Sequence, residues 1–350
     1  MRVMRRTSAT LLAVASAALV AACGSSSATG GGSGGSKALT FVSYGAGSYQ
    51  DGQQAAWVNP FDKQYNVKTT IASPSNNAQL TEQVQSGNVS WDVVDTDAFF
   101  ARNHCGTLVE PIDIGSLASD FPKGSLSRCG VPDAFFGLLL MYNTKTYKTP
   151  PTLQDFFNPK FPGKRSIMGA DPTIGSLEAA LLADGTPASK LYPLDLNKAL
   201  NTWRGIKSKL SVAQTYGQQE QTMLSNQADI ALVVSARAYT LLKAGGTFWK
   251  PVWTAPTPLS WDVLVIPKGS PHAALATKFV KYSSQPAQAA KFATLAGVGP
   301  ANTKAKPQYN ADQAEVSYQK HSKQIVVMNG NWWAKNVNTA VKEWSAMLTG

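Results

Sequence analysis

Histidines are the first side chains to consider for catalysis or metal binding, and the chain contains three. His104, His272 and His321 stand apart, with no cysteine or acidic residue at the spacing of a zinc site. From residue 38 onward the chain also lacks the Gly-x-Ser-x-Gly elbow, the His-Glu-x-x-His helix and the phosphate-cradling Gly-x-x-x-x-Gly-Lys-Ser/Thr loop. No enzyme activity, metal site or cofactor is therefore predicted.

Aromatic and acidic residues collect where predicted strands end. Tyr44 and Tyr49 bracket a glycine-containing loop after the first predicted strand, and glycines let the backbone approach a ligand closely. Thr96 and Asp97 follow the third predicted strand and precede a helix. Because ligands of parallel α/β sheets bind beyond the carboxyl ends of the strands, these residues are candidate ligand contacts. Two alternatives stay open: core packing of Tyr44, and capping of the helix by Thr96 or Asp97.

The elements that must position these residues alternate between strands and helices. Strands are predicted over 38–44, 67–72, 92–95, 165–168, 230–234 and 263–266, with a further hydrophobic run over 135–142. Helices are predicted over 51–65, 78–86, 176–183, 196–209, 220–225, 236–243, 273–282, 286–295 and 332–348. We expect a kink in the first helix at Pro60. The alternation predicts an α/β fold with parallel sheets that helices cover on both faces.

Length and composition narrow the class of protein. A chain of 350 residues suggests two domains of ordinary size. Charged residues make up 15% and hydrophobic residues 43%, which excludes both a highly charged disordered chain and a polytopic membrane protein. The formal charge is +11, but the lysines are scattered without a run of five or six, so no nucleic-acid partner is predicted.

The first residues predict export and attachment to a membrane. Arg2, Arg5 and Arg6 precede an apolar stretch over 9–22 that is too short to span a bilayer and is typical of a signal peptide. We expect a signal peptide over 1–22. Cys23 would then be lipidated, because Leu-Val-Ala-Ala-Cys resembles a bacterial lipoprotein box; an ordinary secretory signal is the alternative.

The Gly/Ser-rich stretch that follows Cys23 cannot form a core, so 23–37 is predicted to be a lipidated cysteine plus a flexible tether. This predicts a protein held at the outer face of the bacterial cytoplasmic membrane, in the periplasmic or extracellular space, through its lipid alone.

Cysteine usage is consistent with export. With Cys23 assigned to lipid, Cys105 and Cys129 remain as an even pair in an oxidising compartment. We expect a disulfide between them, although two unrelated buried thiols are the alternative.

Seven short segments occur in a fixed order across nearly all of the predicted mature chain. They are Thr40–Gln50, Trp57–Phe61, Trp91–Asp95, Leu108–Asp113, Phe157–Arg165, Ile266–Ser270 and Gly299–Asn302. Together they resemble an extracellular solute-binding lipoprotein of an ABC importer, in the spermidine/putrescine-binding branch.

This resemblance implies a two-lobe α/β fold of the periplasmic-binding-protein-like type II class, with crossover strands and a ligand cleft between the lobes. It places lobe 1 over 38–138 and 270–325, lobe 2 with the crossover strands over 139–269, and a C-terminal helix over 326–350. The partners it implies are a small-molecule ligand and the permease subunits of an ABC transporter, with the receptor itself a monomer.

The resemblance also implies ligand-binding residues. Asp262 lies where the family places an amine-binding aspartate, and Trp261 beside it supplies a ring. The further candidates are Asp171, Gln218, Gln219, Ser235 and Arg237. Three positions depart from the family pattern: Gly175 replaces an expected acid, and Val234 and Ser260 replace expected tryptophans.

The expected function is that of a receptor which captures a polyamine-type cation and delivers it to the permease. The alternatives are a receptor for another small polar solute, either amino-acid-like or an organic acid, and an exported enzyme on a similar fold. Charge balance separates the binding alternatives. Converging Asp97, Asp171 and Asp262 favour a cation, and an unpaired Arg237 favours a carboxylate.

Overall fold

A computed structural model of the chain describes residues 37–45 and 47–350. The predicted signal peptide, Cys23 and nearly all of the tether lie outside the described residues. In the part that is described, no helix is both long enough and apolar enough to cross a membrane.

Eleven strands form in the described chain. They are β1 (Lys37–Val42), β2 (Val67–Ala72), β3 (Val93–Asp97), β4 (Val131–Asn143), β5 (Arg165–Met168), β6 (Leu210–Ala213), β7 (Ile230–Val234), β8 (Trp249–Pro251), β9 (Thr257–Val265), β10 (Gly299–Pro300) and β11 (Ile325–Val327).

Thirteen α-helices connect and cover these strands in the described residues. They are α1 (Ser48–Gln53), α2 (Asn59–Tyr65), α3 (Asn77–Ser86), α4 (Ala98–Asn103), α5 (Leu153–Phe157), α6 (Ser176–Ala183), α7 (Leu196–Arg204), α8 (Tyr216–Leu224), α9 (Ser235–Lys243), α10 (Ala273–Ser283), α11 (Pro286–Ala296), α12 (Ala311–Val316) and α13 (Gly330–Thr349).

The strands form two sheets that share one strand, and both are mixed rather than parallel as predicted, because β3, β7 and β9 pair antiparallel with β9 or β4. The first sheet has the order β2-β1-β3-β9-β4, and the second has the order β4-β7-β5-β6. Strand β4 pairs antiparallel with β9 from Val131 to Gly137 and then with β7 from Leu138 to Tyr142. Each sheet with its helices is one lobe, so the expected two-lobe α/β fold is confirmed.

The helix predicted over 51–65 is interrupted by a π-helical turn, Gln54–Val58, between α1 and α2. The Asn59 N–H donates to the Gln54 carbonyl, five residues back. The next residue, Pro60, has no N–H to continue the α-helical pattern. The turn buries Trp57, whose ring lies 4.2 Å from that of Phe292 on α11. The predicted irregularity at Pro60 therefore occurs one turn earlier, as a π-turn.

The C-terminal helix α13 contacts both lobes. Trp333 stacks on Phe99 of α4, with 5.4 Å between the ring centroids, and its Nε1 donates to Glu178 Oε1 of α6 at 2.7 Å. Trp344 packs against Trp203 of α7 at 5.2 Å. A single helix thus joins the elements that carry the two halves of the pocket described below.

Cys105 and Cys129 form a disulfide in the structure, with their Cα atoms 5.4 Å apart. It closes the connection between α4 and β4. Since β4 continues into the second sheet, this link holds the entry of the shared strand close to the first lobe.

Candidate functional site

A pocket that is partly open to solvent lies between the two sheets. Seven of the residues predicted from the sequence line it: Tyr44, Tyr49, Asp97, Asp171, Arg237, Trp261 and Asp262. The first lobe contributes the ends of β1 and β3 together with β9, and the second contributes the turn after β5 and the starts of α8 and α9. The two lobes therefore present charged groups to the same space.

Asp97 and Asp262 lie directly opposite each other in the antiparallel pairing of β3 with β9. Like charges at such a position repel unless a proton or a cation lies between them. Asp262 is 8% exposed, and burial together with the charges of Asp95, Asp97 and Asp171 raises the pKa of its carboxyl well above the usual range. This wall of the pocket is suited to a positively charged group.

Asp97 also begins helix α4. Its Oδ1 accepts from the backbone N–H groups of Phe99 and Phe100 at 3.0 and 2.7 Å, and its Oδ2 accepts from Asn77 Nδ2 at 3.0 Å. These bonds lower the pKa of Asp97, but burial raises it more, so the net shift is upward. Asp97 is thus a helix cap that also lines the pocket.

Asp171 supplies a carboxylate from the second lobe. Its Oδ1 accepts from the Thr173 N–H at 2.8 Å and also from the Thr173 hydroxyl. Four residues later, where the family resemblance implies an acidic residue, the chain has Gly175 with a φ of +104°. A Cβ there would lie 2.5 Å from Cβ of Pro258, so the backbone excludes an acidic side chain at this position.

Arg237 is the basic residue of the pocket lining. Its guanidinium carbon lies 4.9 Å from the ring centroid of Tyr216, a cation–π contact. In the described chain no carboxylate oxygen lies within 4.0 Å of its guanidinium nitrogens. Burial raises the pKa of Glu220 on α8, and the positive charge of Arg237 offsets part of that increase. Arg237 is therefore available to an anionic group in the pocket.

Aromatic rings form the remaining walls. Tyr44 is 38% exposed at the pocket, while Trp261 is buried, stacks on Phe135 at 5.8 Å and donates its Nε1 to the Ser125 carbonyl. Tyr49 meets Phe292 edge to face at 5.2 Å. Trp261 thus offers a fixed face, and Tyr44 an exposed ring, to an apolar part of a ligand.

Four predicted residues do not line this pocket, because their side chains have structural partners elsewhere. Thr96 donates to Asn77 Oδ1, and Gln218 closes the N-terminal turn of α8 with Thr215. Gln219 Nε2 donates to the Leu232 carbonyl at 2.9 Å. Ser235 Oγ lies 3.3 Å from the Gly137 backbone nitrogen and accepts its hydrogen.

Several lining residues were missed from the sequence, notably Phe99, Phe136, Thr173 and Tyr216, whereas Val234 and Ser260, noted as departures from the family pattern, also line the pocket. Phe136 and Ser260 face each other across the β4–β9 pair, a register that only the folded chain defines. Tyr216 follows β6, a strand that had not been predicted. The available signal was its position directly after the short apolar run over 210–213.

Two further carboxylates lie beside the pocket wall, at Asp95 and Asp133. Asp95 Oδ2 accepts from Gln53 Nε2 at 2.6 Å, and Gln53 Oε1 accepts from the Ser43 hydroxyl at 2.6 Å. Burial raises the pKa of Asp95 to about 7, and it raises that of Asp133 well above the usual range, with the charges of Asp95 and Asp262 adding to the effect.

Two lobes joined by a continuous strand, with a pocket lined from both, define a two-lobe ligand-binding protein. The chain belongs to the bacterial extracellular solute-binding protein family, whose model matches residues 56–321. The family level of the sequence-based resemblance is therefore confirmed.

Individual relatives indicate ligand classes for those proteins. The gamma-aminobutyric acid-binding protein of Pseudomonas aeruginosa is 29% identical over 279 residues, 76% of this chain and 77% of that one. The solved structure of a GABA receptor has a TM-score of 0.81 at 28% identity and covers 89% of this chain and 98% of that one. The PBP AgtB of A. tumefaciens R10, in complex with agropinic acid, has a TM-score of 0.77 at 30% identity and covers 90% and 99%. Each of these three proteins is named for a ligand other than a polyamine.

Proposed function

We propose that the protein is the receptor of an ABC importer for a small zwitterionic solute of the amino-acid type, rather than for a polyamine. The observation that carries this proposal is the unpaired Arg237 in the same pocket as Asp97, Asp171 and Asp262. An ammonium group is placed at the aspartates and a carboxylate at Arg237. The role is capture and delivery, without a catalytic step.

The charge balance separates the ligand classes. A diamine satisfies the aspartates but brings a second cation toward Arg237, and a dicarboxylate satisfies Arg237 but meets the aspartates. A zwitterion pairs both sides of the pocket at once, and charge-assisted contacts of this kind are the strong ones in a desolvated site. γ-Aminobutyrate has the required charges, and its methylenes suit the apolar faces of Tyr44 and Trp261. The relatives named above are consistent with this choice.

A ligand that contacts both lobes at once stabilises the closed arrangement of the lobes. Asp262 and Asp97 belong to the first lobe, and Arg237 and Asp171 to the second. A ligand that binds all of them shifts the population toward the closed form, which is the form delivered to a permease. The lobe limits expected from the sequence, 38–138 with 270–325 and 139–269, stay part of this proposal with one change: β9 pairs in the first sheet, so Asp262 is assigned to the first lobe.

Calorimetric titration tests the ligand assignment, using γ-aminobutyrate, putrescine and glutarate as the probes. We expect γ-aminobutyrate to bind more tightly than the other two. Removing the charge in Asp262→Asn or Arg237→Gln should weaken γ-aminobutyrate binding about 30-fold or more, since each 1.4 kcal/mol is tenfold. Arg237→Gln should at the same time improve putrescine binding, because the repulsive cation is gone.

Asp184→Asn provides the matched control, because Asp184 is an exposed carboxylate of the second lobe that pairs with Lys198 outside the pocket, and its loss should leave every affinity within about twofold. Tight putrescine binding by the wild type, with no gain in Arg237→Gln, would restore the polyamine hypothesis.

We also propose attachment through a lipid on Cys23, with the tether over 23–37 holding the receptor near its permease. The support is the lipoprotein-like box and the Gly/Ser-rich stretch after it. Mass spectrometry of the N-terminal peptide from a membrane fraction tests this, and a mature chain that begins elsewhere would contradict it.

A further inference from the structure

Asp133 is a buried carboxylate that the ligand contacts proposed above do not use. It is 5% exposed, and in the described part of the chain neither of its oxygens has a hydrogen-bond partner. An ionised carboxylate in that position would lose its hydration without compensation, which is among the most costly arrangements in a protein interior. Its presence therefore requires a proton or a bound group.

The backbone explains how Asp133 reaches this position. The register of β4 against β9 shifts between Pro132 and Ala134, so Asp133 is the extra residue of a β-bulge. Bulges redirect a side chain out of the regular alternation of a strand. Ala134, the next residue, is paired directly with Asp262. The bulge thus brings a second carboxylate close to the residue that forms the anionic pocket wall.

Asp95 approaches from the other neighbour of β9. In β3, Asp95 lies two residues before Asp97 and therefore on the same face of the sheet as Asp97 and its direct partner Asp262. Asp95 Oδ1 and the Tyr49 hydroxyl are also buried without a hydrogen-bond partner among the described residues. Several unpartnered polar atoms, from α1, β3 and β4, consequently converge behind Asp262.

The charged surroundings of this cluster are acidic. The titratable groups that act on it are Tyr44 after β1, Tyr49 from α1, Asp97 from β3, and Asp171 and Tyr216 from the second lobe. In the described residues, no lysine, arginine or histidine nitrogen lies within 4.0 Å of Asp95, Asp133 or Asp262. Protons are therefore the counter-charge that the fold itself makes available.

We propose that Asp95, Asp133 and Asp262 form one proton-holding unit, and that a cationic group binding on the pocket side of Asp262 releases a proton from it. Asp133 is a positioning residue in this scheme, because it acts on the ligand through Asp262. A protonated Asp133 donates to the free Oδ1 of Asp95, which satisfies both orphaned groups. The raised pKa values of all three carboxyls support this arrangement. The release step rests on the ligand class proposed above.

Coupling to a proton gives ligand binding a defined pH dependence. A released proton weakens binding at low pH and strengthens it as pH rises, by up to about tenfold per pH unit when a full proton leaves. The unit titrates as a whole, so the release is a property of the three carboxyls together. The receptor would therefore bind a cationic group less tightly in an acidified surrounding, without any histidine in its pocket.

The first experiment needs no ligand. The full chain is labelled with ¹³C at the aspartate carboxyl carbons, and their shifts are followed by NMR from pH 4 to 9. We expect wild type to show carboxyl midpoints raised well above the usual aspartate range, and Asp133→Asn to lose one of them and to lower the others. Asparagine keeps the size of the side chain and can donate to Asp95, so the fold is expected to persist.

The matched control is Glu178→Gln. Glu178 is also a fully buried carboxyl with a raised pKa, but it bonds Tyr192 and Trp333 away from the unit. This variant should leave the aspartate midpoints unchanged. Aspartate midpoints that all lie below pH 5 in wild type would overturn the proposal.

The second experiment measures the release itself. γ-Aminobutyrate is titrated calorimetrically at pH 7 in phosphate and in Tris, two buffers with different ionisation enthalpies. We expect roughly half to one proton released by wild type and Glu178→Gln, and at least about twofold less by Asp133→Asn. Equal heats in both buffers would overturn the proposal. If γ-aminobutyrate fails to bind while the high midpoints persist, the proposed ligand is wrong and the proton-holding unit is supported.

Discussion

Arg165 shows how one residue organises a whole connection in the second lobe. It is fully buried, and its guanidinium donates to the carbonyls of Phe156, Asn158 and Phe161 at 2.9, 2.8 and 3.0 Å, and also to that of Gly163. A planar group with five donors can serve carbonyls that lie in several directions. The Lys-Phe-Pro-Gly-Lys-Arg segment therefore folds around the side chain of its last residue, Arg165.

Arg165→Lys is expected to destabilise the protein by about 2–4 kcal/mol, because a single ammonium cannot reach all of these carbonyls and buried acceptors are left unpaired. Urea unfolding measures the change. Arg204→Lys is the control, since Arg204 is exposed and bonds only Asn201 among the described residues. Equal midpoints for the two variants would contradict the role given to Arg165.

At this scale the sequence predicted Asp97 from its place after a strand end, and Asp262 and Arg237 through the family resemblance, but it missed residues that depend on strand pairing. Asp97, Asp262 and Arg237 lie beside strands with clear apolar patterns, and the structure places all three at the pocket. Asp133 belongs to a bulge, and nothing in a single sequence indicates a bulge before the partner strand is known. Gln219 was predicted to bind the ligand but lies buried in α8, where its amide donates to a backbone carbonyl of β7.

At the scale of elements, α4 depends on a residue that also lines the pocket. Asp97→Ala removes the cap of α4 and should cost about 1 kcal/mol of stability, whereas Asp97→Asn keeps an equally good cap and should change stability by less than about 0.5 kcal/mol. Both variants lose the charge and should weaken γ-aminobutyrate binding. Thermal unfolding combined with calorimetry measures both effects.

The two variants separate the structural role of Asp97 from its electrostatic one. If Asp97→Asn bound γ-aminobutyrate as tightly as wild type, the Asp97 charge would have no part in recognition, and capping would be its whole role.

Element boundaries were predictable where a pattern ends at a turn, as for β2 and β5, and less so inside long buried strands. Strand β9 was expected over 263–266 but begins at Thr257, and all nine of its residues are buried. Its first half contains Ser260 and Trp261. These residues are buried by apolar groups from both lobes, so their burial depends on the folded molecule. Uniform burial removes the alternation that marks a strand in a sequence.

At the scale of the whole molecule, the Cys105–Cys129 disulfide links the two ends of the segment between α4 and β4. Replacing both Cys105 and Cys129 with alanine should lower the free energy of unfolding by about 3–4 kcal/mol, the loop-closure value for a sequence separation of 24 residues. γ-Aminobutyrate affinity should stay within about twofold, because neither cysteine lines the pocket. Urea unfolding and calorimetry on the same samples check both parts.

Wild type treated with a reductant serves as the comparison for the double variant, since it loses the bond without changing the sequence. Stability that is the same with and without the bond would show that the loop is already constrained by its packing.

The strand order of the first sheet also determines how late during synthesis on the ribosome the amino-terminal lobe can fold. Strand β9 lies between β3 and β4 in the sheet, yet roughly 160 residues separate it from β3 in the sequence. At a synthesis rate of about 5–20 residues per second, the sheet therefore lacks this interior strand for roughly 10–30 s after β3 has been made. During that interval the amino-terminal lobe cannot complete its core. The late synthesis of this one strand therefore delays folding of the amino-terminal lobe until most of the chain has been made.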